Sequence, residues 1–103
     1  MIFNISDIKE LVKNNKIQWS GHILTRMHQR GIKVKDVIDC INNGSIIEYY
    51  LDDYPYPSCL ILGYNNINTG IHVVCAVGQD NTWMITAYYP SEDEWLEDLK
   101  TRR

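Results

Sequence analysis

The chain has 103 residues and a mass of 12.0 kDa, is 45% hydrophobic and carries seven tyrosines and three tryptophans. That is enough for one core and too little for two, so residues 1–103 are read as a single domain and an intrinsically disordered chain is excluded. The net charge of −3 is unevenly spread: seven Lys/Arg against two Asp/Glu over residues 1–35, then three against eleven over 36–103, or +5 and −8, so one face is suited to an anion and another to a basic partner.

Residues 6–14 place Ile8, Leu11 and Val12 at helical spacing behind a cap at Ser6, and Asn14-Asn15 ends that helix. The amino terminus shows no leader, and no apolar run approaches the roughly 20 residues of a membrane span, so a soluble cytoplasmic protein is expected. Ser20 is placed to cap a second helix with a core stripe of Ile23, Leu24 and Met27, stopped by Gly31. A third helix, residues 35–43, buries Val34, Val37, Ile38 and Ile41 and stops at Gly44.

After Gly44 the apolar period changes to two. The runs SIIEYYL, SCLILGY, IHVVCAV and TWMITAYY, separated by Asp, Asn, Gly and Pro, predict four strands in a mostly antiparallel meander. Each of Cys40, Cys59 and Cys75 lies in an apolar run without a CxxC partner, which points to reduced core thiols. The final segment SEDEWLEDLK has the capping-box spacing Ser91-x-x-Glu94 and predicts a closing helix anchored by Trp95 and Leu99. The fold class is therefore α+β, with helices on one face of a four-stranded sheet.

The second helix carries the chemistry. His22, Arg26 and Arg30 are spaced i, i+4, i+8 and line one stripe away from the core residues. An imidazole transfers protons near neutral pH, and two guanidiniums hold a phosphate and stabilise its developing charge. Metal-independent RNA cleavage needs those parts, because the ribose 2′-OH supplies the nucleophile. His72, isolated in an apolar strand, needs a partner or a purpose, and one of Tyr88 and Tyr89 meets the sheet surface that carries it. A zinc site is disfavoured because His22 and His28 do not share a helix face and the cysteines are unpaired; no motif calls for a nucleotide cofactor.

The blocks WSGHILTRMHQRGI, PYPSCLILG, HVV and ITAYYP, in this order, resemble a bacterial domain of unknown function, the one numbered forty-two fifty-eight. The resemblance implies a RelE-like fold similar to the BrnT, RelE-like and MqsR toxin ribonucleases of type II toxin–antitoxin pairs. The positions matching its motifs are His22, Arg26, Arg30, His72 and Tyr88, expected as the catalytic set: His22 as general acid or base, Arg26 and Arg30 on the scissile phosphate, and His72 and Tyr88 as second proton-transfer or orienting groups. It implies RNA as substrate and a cognate antitoxin as partner; with no nucleotide-binding motif and no metal spacing in the residues, no cofactor is expected. The acidic balance favours free RNA over the ribosome. A competing expectation is a non-enzymatic module whose basic helix face binds a protein or a nucleic acid.

Overall fold

The computed structural model describes residues 3–103, and its elements run α1 (Ile5–Lys13), β1 (Ile17–Trp19), α2 (Ile23–Arg30), α3 (Val34–Asn43), β2 (Ser45–Tyr50), β3 (Ser58–Tyr64), β4 (Gly70–Val77) and β5 (Thr82–Tyr88). The strands form one sheet in the order β1-β5-β4-β3-β2, antiparallel throughout except that β1 lies parallel to β5. The α+β reading holds, with two differences in detail. A short fifth strand joins the sheet, and no helix forms after β5 among the described residues.

The sheet has two unlike faces. Cys59 and Ile61 of β3, Ile71, Val73 and Cys75 of β4, and Met84 and Ala87 of β5 alternate toward the helices and form one core with Ile8, Ile23, Met27, Val37, Cys40 and Ile41. All three thiols are free and buried there. The approach of α3 to the sheet is close enough that a Cβ on Gly63 would lie 2.6 Å from the carbonyl carbon of Cys40. The opposite face, free of helices and called the free face below, carries Leu60, His72, Val74, Tyr88 and Trp83, and the connections and the carboxyl-terminal segment provide its cover.

Several helix boundaries move for identifiable reasons. Asn4, not Ser6, caps α1: its side chain accepts from the Asp7 amide at 3.0 Å while the Asp7 carboxylate accepts from the Asn4 amide at 2.8 Å. Ser20 does not cap α2, because its hydroxyl donates to the Met84 carbonyl at 2.9 Å and pins the chain to β5; His22 becomes the cap residue without a side-chain capping bond. Gly31 ends α2 in the left-handed conformation, φ 72°, as expected. Leu24 and Val34 are about half exposed instead of buried, because Ile23 and Met27 already present the core stripe of α2 and Val37, Cys40 and Ile41 that of α3.

The SEDEWLEDLK segment begins as predicted, with the Glu94 and Trp95 amides donating to the Ser91 carbonyl, then leaves the helical path. Leu99 adopts φ 61°, the Leu96 amide bonds Thr101, and Trp95 pairs with Arg102 in an antiparallel bridge. The reason is tertiary. Trp95 is driven onto the sheet, 2% exposed, and the Leu99 carbonyl turns toward His72 and not along a helix axis.

Candidate functional site: a basic helix stripe beside the free sheet face

Helix α2 runs beside β5, fastened at both ends. Ser20 bonds the Met84 carbonyl at its start, and at its end Arg30 Nη1 donates to the Ala87 carbonyl at 2.9 Å and to Thr86 Oγ1 at 3.4 Å. Strand β1 pairs with β5 only up to Met84, so the later part of β5 has a free edge, and that edge accepts Arg30. The guanidinium keeps donors beyond the two bonds it makes. His22 and Arg26 lie on the same stripe, are exposed, and take part in no salt bridge among the described residues. The first turn of α2 adds the positive end of its dipole at His22.

His72 and Tyr88 are brought together elsewhere. They are direct cross-strand partners, and the Tyr88 hydroxyl lies 3.2 Å from His72 Nδ1. His72 Nε2 lies 2.6 Å from the Leu99 carbonyl. A carbonyl only accepts, so Nε2 carries the proton and Nδ1 accepts from Tyr88. Trp95 covers the imidazole edge-on at 4.6 Å. His72 is fully buried with both nitrogens satisfied, and burial pushes its pKa below the ordinary histidine value. Burial likewise pushes the Tyr88 hydroxyl up.

Around this pair lies a cluster that the strand pattern did not reveal. Arg102 clasps Glu48 of β2 through two bonds, Nε–Oε2 at 2.8 Å and Nη2–Oε1 at 3.0 Å, and stacks over Trp95 at 4.5 Å. The Tyr50 hydroxyl donates to the same carboxylate at 2.5 Å. Its hydrogen bond to Arg102 holds the Glu48 carboxyl below its usual range, and burial pushes the Tyr50 hydroxyl up to about 12. The carboxyl-terminal segment is thus a clasp over the His72 half of the free face. Sequence spacing could not show this, because Glu48 and Arg102 are separated by 54 positions.

The five residues singled out by sequence therefore fall into two groups. His22, Arg26 and Arg30 flank the sheet on α2; His72 and Tyr88 sit under the clasp, and no hydrogen bond joins the groups among the described residues. The free face also holds an aromatic cleft of about 280 Å³, with Ser20, two residues before His22, and Asp53, Tyr54, Tyr56, Trp83 and Ile85 among its walls. Among the described residues, no set of three or more His, Cys, Asp or Glu side chains is placed to hold a metal ion, and no helix is long and apolar enough to cross a membrane.

Residues 19–89 match a family model described as Domain of unknown function (DUF4258). Neither the curated proteins nor the solved structures contain a match to the chain.

Proposed function

Because the chain belongs to the DUF4258 family, whose description assigns no activity, the function rests on its geometry, and we propose that this domain acts on single-stranded RNA as a metal-independent, toxin-type endoribonuclease. One observation carries the reading: His22 and Arg26 stand exposed and free of acidic partners on a stripe continuous with Arg30, in a chain with three more acidic than basic side chains. Both side chains therefore keep their donors available to an anionic ligand.

In this reading Arg26 holds the scissile phosphate and His22 transfers a proton to or from it. The ribose 2′-OH attacks phosphorus and gives its proton to His22, and the P–O5′ bond breaks as the 5′-oxygen takes a proton from water. The products are a 2′,3′-cyclic phosphate and a 5′-hydroxyl. Arg30 positions α2 against β5 and adds positive potential. His72 and Tyr88 act from beneath, as positioning residues that fix β4 against β5. A cognate antitoxin would cover the same basic stripe with an acidic surface.

The sealed state of His72 favours a second reading. It leaves His22 as the one imidazole on the arginine stripe, which suits a domain that binds RNA without cutting it. The experiment that separates them is incubation of wild type and His22→Gln with long single-stranded RNA in EDTA. Cleavage by wild type alone, with cyclic phosphate ends, supports the nuclease. Equal binding by both proteins and no cleavage by either supports the binding module.

A further inference from the structure

The cleft on the free sheet face has a composition that the phosphate chemistry of α2 does not use. Tyr56 stacks on Trp83 with ring centroids 4.8 Å apart and planes at 14°. Tyr54 projects beside them, 95% exposed and without internal packing, so its ring is available to a ligand. Asp53 lies at the same wall, with one carboxylate oxygen taken by the Ser58 hydroxyl and the other left to accept. Ser20 closes the cleft, and two residues later the chain begins the basic stripe at His22.

We propose that this cleft is the subsite for one unstacked nucleobase of the RNA strand, resting on the reading of α2 as the phosphate-binding stripe. The occupant is argued from size and charge. A volume of about 280 Å³ lies just below the roughly 300–1,000 Å³ of small-molecule pockets and suits one planar ring system. Aromatic walls stack on any base, and the free Asp53 oxygen accepts from the amino or imino N–H of a base edge. The Asp53 charge repels phosphate, whereas α2 attracts it. The two features thus divide a nucleotide between them, base in the cleft and phosphate on the stripe, and Ser20 makes them neighbours.

The test is the binding of a short, labelled 2′-O-methyl RNA, which has no free 2′-OH and stays intact, together with an abasic oligomer of the same length. Tyr54→Ala, a change at an exposed side chain whose folding is checked by circular dichroism, should weaken 2′-O-methyl RNA binding roughly tenfold, the worth of one base–aromatic contact. Tyr54→Phe should restore it. The abasic oligomer should bind wild type about as weakly as the RNA binds the variant, with no further loss on Tyr54→Ala. Unchanged binding by Tyr54→Ala beside weakened binding by Arg26→Ala would overturn the base subsite and leave the RNA reading standing. No binding by wild type would overturn both.

Discussion

His72 and Leu99 are 27 positions apart, yet the imidazole Nε2–H donates to the Leu99 carbonyl at 2.6 Å and so ties β4 to the carboxyl-terminal segment. The other ring nitrogen accepts from Tyr88, and Trp95 packs on the ring. His72→Ala would leave a cavity, an unpaired buried carbonyl and an unpaired hydroxyl, and should lower unfolding stability by about 3 kcal/mol. Denaturant unfolding of the variant measures this, and limited proteolysis should cut its carboxyl-terminal segment faster than that of wild type.

The same residue makes stability depend on pH. Its folded pKa lies below the unfolded value of about 6.5 because burial penalises the cation. In the interval between the two values the unfolded chain binds more protons than the folded one, so stability rises with pH. The contribution is complete above about pH 7 and is lost as pH falls below about 6.5 toward the depressed folded value, with a slope of at most about 1.4 kcal/mol per pH unit. Urea midpoints between pH 8 and 5.5 should show the decline, and His72→Gln should flatten it.

Much of the fold is legible in the sequence because its signals are local. The change from helical to twofold period at Gly44 marks the four long strands, and alternation in IHVVCAV correctly assigns His72 to the face opposite Ile71, Val73 and Cys75. The adjacency of Tyr88 and Tyr89 likewise predicts that one of them meets His72, and Tyr88 does. Strand β1 escapes notice because three residues are too few for a period and its pairing with β5 is distant in sequence. The closing helix fails because a valid start signal at Ser91 is overridden by the docking of Trp95. The α2 stripe could be read from spacing alone, whereas the cleft beside it joins Ser20, Asp53–Tyr56 and Trp83, which only the folded sheet assembles.

Gly63 should tolerate no side chain. An added Cβ would overlap the Cys40 carbonyl oxygen and lie 2.8 Å from the Cys40 Cα, backbone atoms of a helix packed on the sheet. Gly63→Ala should therefore destabilise by about 3 kcal/mol or more, seen as a large fall in melting temperature. A variant that melts like wild type would contradict the described contact between α3 and β3.

Arg30 and Arg26 should separate in their effects. Arg30→Ala removes the bonds to the Ala87 carbonyl and Thr86, and should cost about 1 kcal/mol of stability as well as weakening RNA binding. Arg26→Ala, at an exposed position with no salt-bridge partner among the described residues, should weaken RNA binding with no change in melting. Parallel melting and RNA-binding titrations check both.

On the proposed reading, RNA meets the α2 stripe and the adjoining half of the free sheet face. Amide chemical-shift mapping of the isotope-labelled protein, titrated with short 2′-O-methyl RNA, tests it most directly. Shifts are expected over residues 20–30, over 53–56 and around Trp83 and Ile85, with α1 and the far edge at β2 unmoved. Shifts confined to the β2 edge or to α1, or no shifts at any RNA concentration, would contradict it.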